Sequence, residues 1–146
     1  MTISDLCITN QAVPLEVADS LLYHIRSIEP IRKQLRIITK GQDVLCSKKS
    51  GYRPYDYEIS KGRKGTSQHT FKDRWTNGRG AVDWRLKDHS ESDFERFKAL
   101  LIDMTGYTRI AVYDTFIHCD FKNTDSGLKE IYESDSNSNW NFLYTV

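Results

Sequence analysis

The chain has 146 residues, of which 38% are hydrophobic and 28% charged, and its formal net charge is +1. This length suits one domain that buries most of its apolar surface, and we expect residues 1–146 to form a single domain. No apolar run reaches the roughly 18 residues that a membrane-spanning helix needs, and the opening MTISDLCITNQ lacks the basic and apolar regions of a signal peptide.

The first third of the chain predicts helix followed by a short strand. Apolar residues recur at helical spacing from Leu15 to Ile28, and a second short helical piece is expected around EPIRKQL. Residues 44–46 (VLC) read as a short strand. Residues 50–80 contain five of the eight glycines and are expected to be mainly loop.

The next segment predicts a strand and then a second long helix. Residues 80–86 (GAVDWRL) alternate in polarity. The side chains expected on one face of this strand are Ala81, Asp83 and Arg85. Ser90 suits the N-cap of a helix, and the apolar stripe that follows it ends near Gly106.

Two closely connected strands are expected at residues 109–113 and 116–121. In the second strand, His118 and Asp120 share one face with Phe116. The polar tail, residues 123–146, is expected to be loosely held until its aromatic end WNFLY. The pattern predicts an α+β fold in which helices pack on a small antiparallel sheet.

Charge and cysteine content narrow the function classes. Residues 48–87 carry eleven Lys or Arg against four Asp or Glu, a local charge of +7. Such a segment attracts polyanions, or it is a solvated surface around a site. No nucleic-acid-binding motif accompanies it, so nucleic-acid binding is the weaker alternative.

The three cysteines are far apart and form no CxxC pair, which indicates reduced thiols and argues against a cysteine zinc site.

Histidine and carboxylate residues suggest a metal site. His24 lies on or beside an apolar helix face and is expected at the edge of the core, whereas His89 is expected at the surface. A catalytic zinc site has three protein ligands, commonly two His and one carboxylate. His69, Asp83 and His118 would supply that set, but spacing alone selects them weakly.

Four short motifs occur in an order that resembles the M15 family of zinc peptidases. These motifs are SGYRP at 50–54, GTSQH at 65–69, GAVD at 80–83 and FIHCD at 116–120. That family comprises D-alanyl-D-alanine carboxypeptidases and peptidoglycan endopeptidases, and it shares its fold with the hedgehog signalling domain. The resemblance covers roughly residues 4–122 and implies a hedgehog/DD-peptidase-like fold.

The resemblance also assigns roles to single residues. It implies that His69, Asp83 and His118 are zinc ligands. It matches Arg53 to an arginine that contacts the substrate, and a guanidinium suits a carboxylate or a polarised carbonyl. Ser67 matches a serine that is expected either to contact the substrate or to brace its loop.

The general base is the least determined role. Several branches of the family carry an acid three residues before the last ligand His, where this chain has Thr115. Asp120 is the first choice for the base, with orientation of a ligand His as its alternative role. Asp114, expected in the turn between strands, is the reserve.

One departure from the family concerns the connection from His69 to Asp83. The family motif His-x-x-Gly-x-Ala-x-Asp places the Asp seven positions after the His, whereas here the separation is fourteen. The extra positions fall within FKDRWTNGR, which contains the turn signal Asn77-Gly78. We expect a loop that bulges outward while its ends stay at the metal, since closure cost grows slowly with length. If Asp83 is not the carboxylate ligand, Asp73 at the other end of this loop is the alternative.

The implied function is zinc-dependent hydrolysis of amide bonds in peptidoglycan stem peptides or cross-links that contain D-amino acids. Without an export signal, a phage cell-wall lysin that a holin releases or a virion carries fits better than a resident periplasmic enzyme. The alternatives are a catalytically inactive M15-like binding module and, less favoured, a nucleic-acid-binding protein. Oligomeric state and the exact bond cleaved stay open.

Overall fold

The structure is a computed structural model that describes residues 1–8, 12–46, 50–72, 78–135 and 139–146. Within these ranges three α-helices and six β-strands form an α+β fold, as expected. The helices are α1 (Leu15–Ile38), α2 (Tyr55–Ser60) and α3 (Glu91–Met104). The strands are β1 (Val44–Cys46), β2 (Ala81–Leu86), β3 (Arg109–Val112), β4 (Ile117–Asp120), β5 (Glu130–Ser134) and β6 (Trp140–Thr145).

The six strands form one sheet in the order β1-β2-β4-β3-β5-β6. All neighbouring pairs are antiparallel except β3 and β5, which run parallel. The prediction of a purely antiparallel sheet is therefore wrong at this pair. The reason lies in the chain path: β4 ends at Asp120 beside Arg109, where β3 begins, and Glu130 starts β5 at that same end.

The prediction of a loosely held tail is also wrong at residues 130–134, whereas the aromatic end, which was expected to be held, does form a strand. Residues 130–134 pair with β3, and residues 140–145 form the outer strand of the sheet. This pairing joins residues that are distant in sequence, and a polar composition carries no signal of it. Residues 136–138 of the tail lie outside the described ranges.

The two faces of the sheet differ in chemistry. One face is apolar and belongs to a single buried core cluster together with residues of α1 and α3. Its sheet residues include Val82, Trp84, Ile110, Ile117, Cys119 and Ile131. Because side chains alternate along a strand, the intervening residues of β2 and β4 fall on the opposite face. Asp83, His118 and Asp120 therefore share that second face, which is called here the polar face.

The first long helix is continuous where two pieces were expected. α1 runs through Pro30, which removes one backbone hydrogen bond from the helix interior. Both Pro30 and Arg26, whose carbonyl loses its partner, are exposed, so water can solvate that carbonyl. α3 begins as predicted, with the Ser90 hydroxyl accepting a hydrogen bond from the Asp93 backbone N–H.

In the described part of the chain, no helix combines the length and the apolar character that crossing a membrane requires.

Candidate metal centre

Sheet register brings Asp83 and His118 together on the polar face. Asp83 of β2 is the direct antiparallel partner of His118 of β4. Directly opposed side chains on one face lie about 5 Å apart at their Cβ atoms. The His118 Nδ1 atom lies 2.9 Å from Asp83 Oδ1. Two residues separated by 35 positions in the sequence thus meet because of one pairing register.

His69 reaches the same point from a 3-10 turn, Gln68–Thr70. Ser67 caps this turn, since its hydroxyl accepts a hydrogen bond from the His69 backbone N–H. His69 Nδ1 lies 3.0 Å from the Gly51 carbonyl oxygen. An acceptor there requires a proton on Nδ1, so Nε2 of the neutral ring keeps a lone pair for a metal.

The three donors form a compact set. Ligand atoms of His69, Asp83 and His118 all lie within 4.8 Å of one another. His69 Nε2 is 3.5 Å from Asp83 Oδ1, and the two imidazole rings are 5.4 Å apart at their centroids. His69 is 5% exposed and His118 7% exposed, while the Asp83 side chain is 14% exposed.

Two imidazoles and one carboxylate are the donor set of a catalytic zinc site with an open position. The structure brings together the three residues that the resemblance predicts, and their chemistry fits zinc. His24 and His89 are not part of this donor set. His24 is fully buried among aromatic rings, deeper than the core-edge position that was expected, and His89 is exposed, as was expected.

The side chains of this cluster shift the pKa values of one another. Burial disfavours a charged His118 ring, but hydrogen bonds to Asp120 and Asp83 outweigh burial and raise the pKa of His118 to about 9. Burial also opposes ionisation of Asp83, yet the two histidines lower its pKa well below the ordinary value. Without a metal the cluster therefore holds a cationic His118 between two carboxylates.

Asp120 contacts the second ring nitrogen of His118, the one that does not face Asp83. Its Oδ2 lies 3.0 Å from His118 Nε2. Arg109 Nε donates to both carboxylate oxygens at 3.0 and 3.1 Å, and the Lys122 backbone N–H donates to Oδ1. Asp120 is fully buried, and although burial opposes it, the bonds from His118 and Arg109 lower its pKa to about 2. This arrangement favours the orienting role over proton transfer.

Asp114 lies in the exposed turn between β3 and β4, beyond the Val112–Ile117 pair. Among the described contacts, none joins its carboxylate to the three donors. The structure thus places the two candidate bases differently: Asp120 touches a donor, and Asp114 does not.

Arg53 and Ser67 form a brace beside the metal centre. The Arg53 backbone N–H donates to the His69 carbonyl, and its Nη2 donates to the Ser67 hydroxyl at 3.1 Å. Arg53 Nε forms an ion pair of 2.8 Å with Glu58, which is fully buried in α2. Arg63 contacts the other oxygen of Glu58 at 2.6 Å. The loop-bracing role of Ser67 is therefore visible directly.

The long connection between His69 and Asp83 is described only at its ends. Residues 73–77, which include Asp73 and part of the predicted turn Asn77-Gly78, lie outside the described ranges. At the returning end, the Gly78 carbonyl accepts from Ser20 and the Arg79 carbonyl lies 2.7 Å from His24 Nε2. Both ends are thus held, one at the site and the other on α1.

Gly80 fixes the close approach of this returning end. It has a φ of +70°, and a Cβ there would overlap the Phe71 ring. Only glycine combines that backbone conformation with that contact. The contact joins the residue that follows the His69 turn to the residue that precedes β2.

Sequence reasoning missed three residues around the centre. Glu58 holds Arg53, and Arg109 holds Asp120. Trp140 of β6 packs its ring 5.1 Å from the His118 ring and 4.8 Å from the Arg109 guanidinium. Pairing the two adjacent strands in register would have placed Arg109 opposite Asp120. Trp140 had no such local signal, because β6 reaches the sheet through long-range pairing.

Comparison with protein-family models, with curated proteins and with solved structures finds no match to this chain.

Proposed function

We propose that this chain is a zinc-dependent peptidase that hydrolyses amide bonds in peptidoglycan stem peptides or cross-links, and that it acts as a phage cell-wall lysin. The observation that carries the proposal is the meeting of His69, Asp83 and His118, which come from three of the four ordered motifs. The hedgehog/DD-peptidase-like fold belongs to the same proposal. An α+β fold with its donors on one sheet face is compatible with it.

The chain's own residues would divide the work as follows. His69, Asp83 and His118 would hold zinc, and bound zinc supplies Lewis-acid polarisation of a carbonyl and a more acidic water. Asp120 would keep His118 oriented by accepting its Nε2–H. Arg53, held by Glu58 and Ser67, would present its guanidinium to a substrate carbonyl or carboxylate. Asp114 would be the base if Asp120 only orients.

The nucleic-acid alternative loses support from the contacts of the basic segment. Arg53 and Arg63 are both paired with Glu58, and the Arg79 guanidinium stacks 5.0 Å from the Tyr23 ring. These three cations already interact with groups of the same molecule. The segment therefore offers fewer charges for contacts with phosphate than its sequence suggests.

The proposal is tested by digestion of purified peptidoglycan with mass analysis of the products. Wild-type protein with zinc should release new amino termini, and a chelator should stop the release. His118→Ala should lose both zinc and activity, whereas His89→Ala, which removes an exposed histidine, should keep both. Zinc bound without any hydrolysis would instead favour the inactive binding module, and no zinc would reject the metal centre.

A further inference from the structure

A concave site separate from the three donors lies at the β1 edge of the sheet. It is a pocket of about 310 Å³ between an N-terminal 3-10 turn (Ile3–Leu6), α1 and the strands β1 and β2. Its lining includes Met1, Asp5, Arg32, Leu45, Cys46 and Arg85. A pocket that combines apolar walls with a few charged groups is typical of small-ligand binding.

Arg85 differs from the other charged residues of this pocket in its interactions. It is half-buried, and no hydrogen bond or ion pair engages its guanidinium within the described ranges. Arg32, by contrast, is bound to Glu29 and to both oxygens of Asp43. A half-buried guanidinium without a partner has lost part of its hydration and gains when an anion binds it.

The other ionisable groups of the pocket limit the charge of the ligand. The Asp5 carboxylate accepts from the backbone and the hydroxyl of Thr2, and it stays negative because its pKa is lowered by the Thr2 backbone bond. Burial raises the pKa of the Cys46 thiol, which therefore adds no charge. Met1 also lines the pocket, and its ammonium lies 3.4 Å from the Glu29 carboxylate. The Arg85 guanidinium, with the Asp5 carboxylate in the same pocket, suits a monoanion better than a dianion such as phosphate.

The pocket and the metal centre are connected through β2. Arg85 follows Asp83 by two residues, so both side chains leave the same face of the strand. At the strand rise, their Cα atoms are separated by about 7 Å. An extended peptide with an amide at the metal centre has the length to reach Arg85 with a neighbouring group.

We propose that the pocket around Arg85 is a subsite for a carboxylate of the peptide substrate. This inference rests on the proposed function, since it supplies that substrate with its second anchoring point. The guanidinium of Arg85 donates two parallel hydrogen bonds to the carboxylate, and Leu45 contacts the adjacent apolar atoms. Arg53 stays at the reacting amide, so the two arginines read different groups of one ligand.

The test is a titration of the isotope-labelled full chain with three probes, followed by backbone NMR. N-acetyl-D-alanine carries the carboxylate, N-acetyl-D-alaninamide lacks it, and inorganic phosphate is the dianion control. We expect the carboxylate probe to shift the signals of Leu45, Cys46 and Arg85, and the amide probe to leave them in place. Arg85→Gln should weaken carboxylate binding about tenfold or more.

Arg26→Gln is the matched control, because it removes the same charge from an exposed position on α1. It should leave carboxylate binding unchanged, and zinc content should be equal in both variants. Equal binding of the amide probe, tighter binding of phosphate, or full binding by Arg85→Gln would each overturn the subsite. Carboxylate binding at Arg85 without peptidoglycan hydrolysis would keep the subsite and reject the peptidase.

Discussion

At the residue scale, Asp120 shows how contacts decide between two roles for one carboxylate. Both of its oxygens already accept from neighbours, and its side chain is fully buried. A general base must instead reach the attacking water and exchange protons with it. Carboxylates that accept from the second nitrogen of a ligand histidine fix the ring and strengthen its binding to the metal.

Substitution of Asp120 by Asn tests this role. Asn keeps one oxygen acceptor but removes the negative charge, so zinc affinity should fall by about 10- to 100-fold. Competition with a chromophoric chelator measures the change. If zinc affinity were unchanged while hydrolysis disappeared, Asp120 would act as the base. The parallel variant Asp114→Asn should leave zinc affinity unaltered, because no described contact joins Asp114 to the donors.

Arg53 provides a second prediction, which depends on geometry more than on charge. In Arg53→Lys, an ammonium can keep the ion pair with the buried Glu58, but it cannot also keep the hydrogen bond to Ser67 and face the substrate. Zinc content and melting temperature should stay near wild type, while turnover should fall about tenfold or more, equivalent to at least roughly 1.4 kcal/mol. Normal kinetics in this variant would remove Arg53 from the active site.

At the scale of elements, His24 ties α1 to the returning loop and to the segment before β3. Its Nε2 lies 2.7 Å from the Arg79 carbonyl, and its Nδ1 lies 2.8 Å from the Tyr107 hydroxyl. Trp84 donates to the oxygen of that same hydroxyl. All three hydrogen bonds form when His24 Nε2–H donates to the Arg79 carbonyl and His24 Nδ1 accepts from the Tyr107 hydroxyl. This arrangement requires a neutral His24 ring.

This requirement predicts a pH dependence of stability. Burial lowers the pKa of His24 from 6.5 to about 4 in the folded state. The unfolded state therefore binds more protons between these pH values. The contribution of the neutral His24 ring to the free energy of unfolding is complete above pH 6.5 and is lost as pH falls towards 4. It amounts to roughly 3 kcal/mol in total. Denaturant unfolding at pH 7 and 5, compared between wild type and His24→Gln, should show a smaller loss in the variant. Equal losses would contradict the assignment.

β6 gives the tail a structural role at the site. Trp140 packs on His118 and Arg109, and its indole N–H donates to the Tyr113 hydroxyl at 2.9 Å. Trp140→Ala should lower the free energy of unfolding by about 2 kcal/mol, less than for a fully buried aromatic residue. It should also weaken zinc binding, because the His118 ring loses the indole ring that packs against it.

Phe142→Ala is the control for this prediction, since Phe142 lies in the same strand and is 57% exposed. Its effect on unfolding should stay within about 0.5 kcal/mol, and zinc affinity should not change. Equal effects of the two substitutions would show that Trp140 acts through strand pairing alone.

At the scale of the whole molecule, local pattern and long-range pairing contributed differently to what the sequence could predict. Alternation in β4 was sufficient to put His118 and Asp120 on one face, since side-chain direction is a local property. Proximity of His69 to Asp83 came only from the motif resemblance, because fourteen intervening residues leave the loop path open. The position of Trp140 depends on β3 and β5 being parallel neighbours, which no local pattern encodes.

The candidate metal centre also joins a turn to the sheet. His69 belongs to a turn, whereas Asp83 and His118 belong to adjacent strands. A metal that binds only the folded state stabilises it by mass action, by about 2.7 kcal/mol at a free concentration 100 times the dissociation constant. For a chain of this length we expect the melting temperature to rise by roughly 5–10 °C with zinc.

Thermal unfolding with zinc, with magnesium and with a chelator measures this coupling. Magnesium should give little shift, because it prefers oxygen ligands and retains its water. His89→Ala should respond to zinc as wild type does, since His89 is exposed and no described contact joins it to the donors. His118→Ala should lose the response, because two remaining donors leave the turn and the sheet without a common ligand set. A full zinc response in His118→Ala would place the metal elsewhere on the molecule and reject the three-residue centre.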